Sequence, residues 1–348
     1  MKKALIAMSG GVDSSVAAYI AVEQGYLCGG AMMHLWSENG VVDCRDAESV
    51  AQKLKIPFHI FEAKTDFCKN VVEPFISDYE NGLTPNPCIR CNRTLKFGFF
   101  ADEGKKLGYD YTVTGHYARI RFDEASGRYL LYKALDSSKD QSYFLAFMTQ
   151  KQLSSTLFPL GELTKEQVRQ IAQEQGFINA QKKDSQDICF VPDGDYKAFM
   201  QRYTGKLYPC GNFLDLDGKI VGMHQGAVGY TLGQRKGLGL AMGEPVYVCA
   251  KDMERNTVTV GPNDALMHRE LIAEDWFFFP FETIMEPIRV KAKTRSRMSE
   301  QPATVYPMED GRCRVEFDQP QRAITPGQAV VLYDGDLVVG GGTITEIK

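Results

Sequence analysis

Over about the first 115 residues, short apolar runs alternate with longer segments of helical periodicity. The runs have the length of strands, and the segments between them have the length of helices. This alternation is typical of a parallel β-sheet with crossover helices and predicts an α/β fold. The predicted strands are 3–7, 29–35, 57–61 and 111–114, and the predicted helices are 13–24, 43–54, 66–79 and 89–107.

Further along the chain the pattern changes. A hairpin is predicted over 117–133, around Ser126-Gly127, and a helix over 164–175, with a capping box of Thr164 and Gln167. After about residue 205 helical periodicity disappears, glycine becomes frequent and short alternating runs recur, which indicates an all-β region. We therefore expect three domains. They are an α/β catalytic domain over 1–204, a small central β-rich domain over 205–263 and a C-terminal β-barrel over 264–348.

Composition narrows the class of protein. The 348 residues are 44% hydrophobic and 24% charged, which is typical of a folded globular chain. The net charge of -4 means that a polyanion must be bound by local patches and not by the whole surface. No apolar stretch approaches the roughly 20 residues that cross a bilayer, so we expect no membrane partner. The start of the chain leaves no room for a signal peptide, which predicts a cytoplasmic location. The nine cysteines are an odd number, which favours thiols over a disulfide framework.

The segment Ser9-Gly10-Gly11-Val12-Asp13-Ser14-Ser15 follows a predicted strand and opens a predicted helix. Backbone N–H groups and the helix dipole at such a place favour an anion, and glycines let a phosphate approach the main chain. The chain lacks both the lysine-containing Walker loop and G-x-G-x-x-G at this position. The alternative is a glycine turn capped by Asp13. The strand that ends at Met33 is a candidate for contacts with adenine, although a methionine there also suits the core.

Two cysteines, Cys88 and Cys91, form a C-x-x-C at a predicted helix start after Pro85 and Pro87. A helix N-terminus lowers the pKa of a thiol, so this position predicts reactive cysteines. A third cysteine, Cys189, follows a charged stretch far downstream. A C-x-x-C also suits a redox motif or half of a zinc site, but the chain has no second C-x-x-C and no H-x-x-x-H, so zinc is the weaker interpretation.

Several ordered motifs together resemble the tRNA-specific 2-thiouridylase family, and S-G-G-x-D-S by itself resembles the ATP pyrophosphatases. The resemblance spans nearly the whole chain. The motifs that carry it are S-G-G-V-D-S-S from Ser9, T-P-N-P from Thr84 into Cys91-Asn92, T-G-H-Y from Thr114, K-D-Q-S-Y-F-L from Lys139, D-S-Q-D-I-C-F from Asp184, G-A-V-G-Y-T-L-G-Q-R-K-G-L-G from Gly226 and T-P-G-Q from Thr325.

This resemblance implies an adenine nucleotide alpha hydrolase-like catalytic domain that uses ATP and Mg²⁺. Such an enzyme adenylates the C2 oxygen of the wobble uridine (position 34) of tRNA and replaces that oxygen by sulfur. The residues expected at the nucleotide are Ala7, Met8, Ser9, Gly10, Gly11, Val12, Asp13, Ser14, Met33 and Gly115, with Asp13 also at the magnesium ion. Those expected at the tRNA are Asn86, Pro87, Cys88, Lys139, Asp140, Gln141, Arg295 and Ser296, followed by Arg235 and Lys236.

The resemblance also assigns the thiols. Cys91 is expected to be the nucleophile and Cys189 the persulfide carrier, and the pair closes to a disulfide after transfer. A cysteine desulfurase or a sulfur-relay protein is the expected sulfur donor. The sequence departs from the usual family pattern at Cys88, where an aspartate is common. Three thiols, Cys88, Cys91 and Cys189, suit a four-iron four-sulfur cluster, and this hypothesis ranks at least equal to the persulfide route. A tolerated small replacement is the simplest alternative.

Five cations recur at period two from Arg289 to Arg297. On a strand they project from one face about 6.6 Å apart and would follow a phosphate backbone, whereas the ordinary alternative is a solvated face. His116 suits a structural hydrogen bond, and we assign it no catalytic role. Two other functions remain open at this point. One is an amide-forming synthetase of the ATP pyrophosphatase class, and the other is a tRNA-binding protein without turnover.

Overall fold

The computed structural model describes residues 1–36, 43–182 and 188–348. The strands of its first part are β1 Lys3–Ala7, β2 Leu27–His34, β3 Phe58–Glu62, β4 Tyr111–Val113, β5 Ala118–Asp123, β6 Arg128–Lys133 and β7 Thr156–Leu157. Five of them form a parallel sheet in the order β3-β2-β1-β4-β7. The four strands predicted for this sheet lie within two residues of their expected positions. The α/β class is confirmed.

Helices cover this sheet. Their bounds are α1 Val12–Glu23, α2 Arg45–Lys53, α3 Lys64–Phe67, α4 Glu73–Glu80, α5 Pro87–Cys91, α6 Phe100–Lys106, α7 Ser142–Leu145, α8 Gln150–Ser154, α9 Lys165–Glu174 and α10 Tyr196–Thr204. The predicted helices 66–79 and 89–107 are each interrupted by π-helical turns, at Cys68–Val72 and Asn92–Phe99. A pattern of period 3.6 does not reveal such turns. The predicted capping box of Thr164 and Gln167 starts α9.

The catalytic core lies between the sheet and the two helices α1 and α9. Ile6 and Val113 from the strands and Val16 and Val168 from the helices are all fully buried in one cluster. The middle residues of β1 are buried without alternation, as is usual for a parallel strand covered on both faces. This packing fixes the N-terminus of α1 at the carboxyl end of β1. Ligands bind at that end of such sheets.

The remaining strands form two β-domains. A four-stranded sheet in the order β10-β11-β8-β9 consists of β8 Gly211–Leu214, β9 Ile220–His224, β10 Tyr247–Asp252 and β11 Thr257–Gly261. Six more strands follow it, namely β12 Met267–Phe278, β13 Ile288–Lys293, β14 Gln301–Pro307, β15 Cys313–Arg322, β16 Ala329–Asp334 and β17 Leu337–Ile347. They close into a barrel because β12 pairs with both β15 and β17. The expected central β-rich part and C-terminal barrel are confirmed.

Two features were not predicted from the sequence. The hairpin predicted over 117–133 forms as β5 and β6, but β6 pairs with β17, so the hairpin extends the barrel sheet and not the parallel sheet. The helix α10 was missed, although its two ends carry ordinary signals. Asp195 accepts a hydrogen bond from the Ala198 N–H at its start, and Gly205 adopts the left-handed conformation at its end. Among the described residues, no helix has the length and apolar character that crossing a membrane requires.

Candidate active site

The glycine loop between β1 and α1 forms a preorganised helix N-terminus. Gly10 has a φ of +71°, which favours glycine, and Gly11 is the N-cap of α1 in an extended conformation. The Ser9 N–H donates to Ser14 Oγ at 3.2 Å, and that hydroxyl donates to the Gly11 carbonyl at 3.0 Å. The first N–H groups of α1 have no partners within the helix, so together with the dipole they favour an anion.

Asp13 does not cap α1, so the alternative interpretation of the glycine loop as an Asp13-capped turn is wrong. Its carboxylate accepts a hydrogen bond from the Tyr117 hydroxyl at 2.9 Å and two from Lys165 Nζ at 2.7 and 2.9 Å. Lys165 is only 9% exposed, so this ion pair fixes its ammonium beside the loop. Sequence reasoning missed Lys165 because it lies 152 positions from Asp13 and belongs to no motif.

The other positions expected at the nucleotide lie at the same edge of the sheet. The side chains of Met8 and Val12 are buried, so these residues present only their main chain to a ligand. Met33, near the end of β2, is partly buried. Gly115 lies so close to α1 that a Cβ would come within 2.7 Å of the Asp13 carbonyl carbon. The predicted positions that this edge brings together are Ala7, Met8, Ser9, Gly10, Gly11, Val12, Asp13, Ser14, Met33 and Gly115.

A second segment also reaches the loop. Asn179 Nδ2 donates to the Gly10 carbonyl at 3.1 Å and to Ser15 Oγ at 2.9 Å. Lys182 Nζ donates to the same carbonyl at 3.2 Å and pairs with Asp46 at 2.8 Å. Sequence reasoning named neither Asn179 nor Asp46, and it noted Lys182 only as part of the charged stretch before Cys189. The residues that precede the Cys189 motif are therefore tied to the phosphate loop, although positions 184–187 of that motif lie outside the described residues.

Cys88 and Cys91 lie on the short helix α5. Asn86 caps this helix by accepting a hydrogen bond from the Ile89 N–H at 3.3 Å, and Pro87 occupies its first position. Cys88 and Cys189 are exposed to solvent, whereas Cys91 is partly buried. All three are free thiols. The predicted helix start is confirmed, with its first residue two positions before the expected one.

The expectation of low thiol pKa values is wrong for this structure. Burial raises the pKa of Cys88 and of Cys91, and it raises the pKa of Cys189 to about 11. Although solvent reaches part of Cys88 and Cys189, the surrounding protein removes enough water to disfavour their thiolates. The negative charge of each neighbouring thiolate also raises the pKa of Cys189, so the three thiols lie near one another.

One cation acts on all three thiols. The positive charge of Lys96 opposes the effect of burial on the pKa values of Cys88, Cys91 and Cys189. Its Nζ lies 3.3 Å from His116 Nε2. Burial, followed by the charge of Lys96, holds the pKa of His116 well below its ordinary value. The neutral ring therefore accepts from Lys96.

The hydrogen bond at the second ring nitrogen is consistent with one tautomer of His116. Its Nδ1 lies 2.7 Å from Thr114 Oγ1. Because Nε2 accepts the hydrogen bond from Lys96, Nδ1 carries the proton and donates it to this hydroxyl. This agrees with the structural role that we expected for His116. Sequence reasoning missed Lys96.

The three thiols are not grouped around one metal ion. In the described parts of the chain, which include all three, no three His, Cys, Asp or Glu side chains are grouped as metal ligands. In a four-iron four-sulfur cluster each thiolate binds a different iron, so a site for a single metal ion is not what such a cluster requires. The cluster hypothesis stays a prediction, and no step of the chemistry below uses it.

The chain before α5 is fixed by the barrel. Gln328 Nε2 donates to the carbonyls of Thr84 at 3.0 Å and Pro85 at 3.1 Å, and the Thr84 N–H donates to the Pro326 carbonyl at 3.0 Å. Gly327 lies against this segment with a φ of +88°, and a Cβ there would approach Thr84 N to 3.0 Å. Two prolines deprive the segment of its own N–H donors, so the barrel determines where α5 begins.

The predicted single row of five cations is wrong. Strand β13 ends at Lys293, so Arg295 and Arg297 lie beyond it. Arg289 pairs with Asp318. Lys293 is buried, with its ammonium 4.9 Å from the centre of the Tyr333 ring. Only Arg289, Lys291 and Arg297 of the five are exposed.

Arg295 makes structural hydrogen bonds between domains. Its Nη2 donates to the carbonyls of Leu232 at 3.0 Å and Ala323 at 3.1 Å and to Thr325 Oγ1 at 2.8 Å. Charge periodicity did not reveal that packing against the central domain would bury this guanidinium. Its neighbour Ser296 is partly exposed.

Of the other positions expected at the tRNA, two make structural hydrogen bonds and three are at least partly exposed. Asp140 accepts hydrogen bonds from Ala134 N–H at 3.0 Å and from Ser142 Oγ at 2.7 Å. Gln141 Oε1 accepts from the Tyr117 N–H at 3.0 Å, so both side chains join their turn to neighbouring segments of the chain. Lys139 is partly exposed beside them, and the central-domain residues 235–236 are exposed.

A glycine loop at the carboxyl end of a parallel sheet, in a chain with three neighbouring thiols, is typical of a nucleotide-binding enzyme with thiols at its active site. Comparison with known families is more specific. The tRNA methyl transferase HUP domain family matches residues 2–193, its PRC-barrel domain family matches residues 197–262, and the aminomethyltransferase β-barrel domain family matches residues 268–344.

Curated relatives match from end to end. The tRNA-specific 2-thiouridylases MnmA of Acetivibrio thermocellus and Moorella thermoacetica are 49% and 48% identical to this chain, each over 99% of both chains. That of Clostridioides difficile is 46% identical over 99% of this chain and 98% of its own. A 4-thiouridine synthetase in complex with RNA and ATP is 16% identical over 55% of this chain and 45% of its own, and its TM-score of 0.34 is too low to support an inference. This chain belongs to the tRNA-specific 2-thiouridylase family, whose members are tRNA sulfurtransferases.

Proposed function

We propose that this protein uses ATP and Mg²⁺ to adenylate the C2 oxygen of uridine 34 in tRNA and then replaces that oxygen by sulfur. The printed names of the relatives support thiolation of tRNA at the 2-position of uridine. The observation that carries the proposal is the phosphate loop at the carboxyl edge of the sheet in a chain whose three thiols lie near one another. The reaction takes place in the cytoplasm, where both ATP and tRNA are present.

The first half of the reaction uses the phosphate loop. The N–H groups at the start of α1 bind the β- and γ-phosphates, and the uridine O2 attacks the α-phosphorus, so that pyrophosphate leaves. The carboxylate of Asp13 fits one magnesium position, because Mg²⁺ is usually bound by one or two carboxylates together with substrate phosphates. Lys165, whose ammonium Asp13 holds beside the loop, is a candidate for pairing with a phosphate. The resulting adenylate makes the former carbonyl oxygen a leaving group.

The second half uses the thiols. A persulfide on Cys189 attacks C2 through its terminal sulfur, and AMP leaves with the C2 oxygen. The thiolate of Cys91 then attacks the Cys189 sulfur, which breaks the S–S bond, releases 2-thiouridine and forms a Cys91–Cys189 disulfide. A two-electron thiol reductant resets the pair. The charge of Lys96 supports this proposal, because it favours the thiolate form of each cysteine.

Substrate access is consistent with this order of events. A stacked base does not reach a partly buried thiol, so uridine 34 must leave the anticodon stack and enter the pocket near Asn86, Pro87 and Cys88. The exposed cations Lys291 and Arg297 on the barrel and Arg235 and Lys236 on the central domain are the candidates for phosphate contacts, with Lys139 near the active site. The exposure of Cys189 allows a cysteine desulfurase or a sulfur-relay protein to load it.

Replacement of Cys91 by serine tests the proposal. Recombinant C91S should bind ATP and tRNA with unchanged affinity and form no 2-thiouridine, measured by mass spectrometry of digested tRNA. The matched control is Cys210→Ser, which changes an exposed thiol of the central domain and should retain full activity. Thiolation by C91S would remove the assigned nucleophile. A wild-type protein that binds tRNA and ATP but never forms thiouridine would support a tRNA-binding protein without turnover instead.

The route of sulfur needs a separate measurement. After one turnover with persulfide-loaded protein under anaerobic conditions, mass spectrometry should find a Cys91–Cys189 disulfide in wild type and in Cys88→Ala alike. Iron and acid-labile sulfide should be absent from fully active protein. Activity that depends on bound iron and is lost in Cys88→Ala would contradict the persulfide route and support the cluster hypothesis.

A further inference from the structure

The phosphate loop contains no lysine of its own, yet two ammonium groups from distant segments reach it. Lys165 pairs with Asp13 at the start of α1, as described above. Lys182 approaches from the other side and donates to the Gly10 carbonyl at 3.2 Å. The position that a Cβ would take at Gly10 lies 3.9 Å from Lys182 Nζ and 3.4 Å from Asp46 Cβ. The Lys182–Asp46 pair therefore lies directly over the glycine turn.

This pair is arranged to exchange partners. The Lys182 and Asp46 side chains are 52% and 33% exposed, so solvent screens the 2.8 Å contact between them. An ion pair this exposed contributes little to stability. The phosphates of ATP carry several negative charges and are excellent acceptors for an ammonium, so they compete effectively with a single carboxylate. Lys182 has a long flexible stem, which lets its ammonium turn from Asp46 to an anion at the loop.

The loop itself does not depend on Lys182. The Gly10 carbonyl has a second donor in Asn179 Nδ2 at 3.1 Å, and Asn179 is 97% buried and also bonded to Ser15. The Ser9–Ser14 and Ser14–Gly11 hydrogen bonds hold the rest of the turn. Loss of the Lys182 contact therefore leaves the turn in place. A structural role thus accounts poorly for a charged side chain at this position.

We propose that Lys182 is a phosphate-binding residue of the ATP site and that Asp46 holds its ammonium at the loop in the ATP-free protein. The inference rests on the use of ATP in the proposed function. Lys182 supplies the positive charge that a Walker loop carries in its own lysine. It also predicts that Asp46 competes with the nucleotide, which distinguishes this role from a purely structural contact.

Binding measurements on four variants test the proposal, by calorimetric titration with ATP and with pyrophosphate, both without and with Mg²⁺. Lys182→Gln should raise the Kd for ATP and for pyrophosphate about tenfold and leave the Kd for adenosine unchanged. Lys182→Arg keeps the charge and should remain within about threefold of wild type. Asp46→Asn should lower the Kd for pyrophosphate without Mg²⁺, because the competing carboxylate is gone. The matched control is Lys53→Gln, which removes a lysine bonded to the Gly176 carbonyl at 3.0 Å, away from the loop.

The opposite results would overturn the proposal. A Lys182→Gln protein that binds pyrophosphate within twofold of wild type would show that no phosphate contacts this ammonium. An Asp46→Asn protein that binds pyrophosphate as weakly as Lys182→Gln would show that the pair supports the loop structurally. If Lys182→Gln unfolds at a lower temperature, Lys182→Arg and Asp46→Asn still decide the question. A protein that binds ATP through Lys182 yet forms no 2-thiouridine would leave this inference intact and remove the proposed function.

Discussion

Gly115 is the position at which a single methyl group should disable nucleotide use. In Gly115→Ala the new Cβ would lie 2.7 Å from the Asp13 carbonyl carbon and 2.8 Å from Ser14 N. Ordinary contacts begin near 3.4 Å, so the first turn of α1 must move by about 0.7 Å. The obstructing atoms are backbone, which cannot rotate away. Overpacking of this kind costs about 1–3 kcal/mol of the free energy of unfolding.

The effect on activity should exceed the effect on stability. A displacement approaching 1 Å of groups that position a substrate costs up to about 10²-fold in rate. We therefore expect kcat/KM for ATP to fall by one to two orders of magnitude in Gly115→Ala, measured by AMP release in the presence of tRNA. The control is Gly243→Ala, where the new Cβ has nothing within 4 Å. Wild-type kinetics in Gly115→Ala would refute the reasoning, because the loop would then tolerate displacement.

Two further measurements examine the thiols and the barrel. Alkylation requires the thiolate, and burial raises the pKa of Cys189 to about 11. The alkylation rate of Cys189 without tRNA should therefore rise about tenfold per pH unit through pH 9, with exposed Cys210 as the reference thiol. A plateau below pH 9 would mean that the Cys189 thiolate is stabilised. Arg295→Lys should lower the free energy of unfolding by about 1–3 kcal/mol in denaturant titrations, because one ammonium cannot reproduce the guanidinium contacts that join the domains. Arg297→Ala should instead weaken tRNA binding and reduce its salt dependence without changing stability. The reverse pattern would contradict the assignment of the two arginines.

The elements that sequence reasoning predicted are those whose signals are local. A buried parallel strand is a short apolar run, and β1 was predicted at its observed bounds. The capping box that starts α9 is a four-residue pattern and was equally visible. The π-helical turns were not predictable from periodicity. The pairing of β6 with β17 depends on residues 205 positions apart, as in the register of Tyr132 and Leu337, and no local pattern encodes it.

The candidate site divides in the same way. Positions named by a motif, such as the glycine loop and the C-x-x-C, were found, because a short stretch of chain builds each of them. Lys96 and Lys165 were missed, and Lys182 was noted beside Cys189 but not at the loop, because each reaches its partner from a different segment. The row of cations was misjudged for a different reason. Charge spacing on a strand says which side chains share a face, but whether that face meets water depends on what packs against it, and for Lys293 this is a pair of tyrosine rings.

The contact between the barrel and the segment before α5 indicates a structural role for the barrel. A tRNA-binding module alone would need only an exposed cationic face, yet Gln328 uses its amide to satisfy two carbonyls in a stretch with two prolines. Those carbonyls belong to Thr84 and Pro85, the two residues directly before the cap residue Asn86. Their position therefore affects where Cys88 and Cys91 lie on α5. The turn that carries Gln328 is fixed in turn to β17, since Ile344 and residues 327–328 exchange two main-chain hydrogen bonds of 2.8 Å. The barrel therefore contributes to the position of Cys88 and Cys91 relative to the phosphate loop, which the parallel sheet holds.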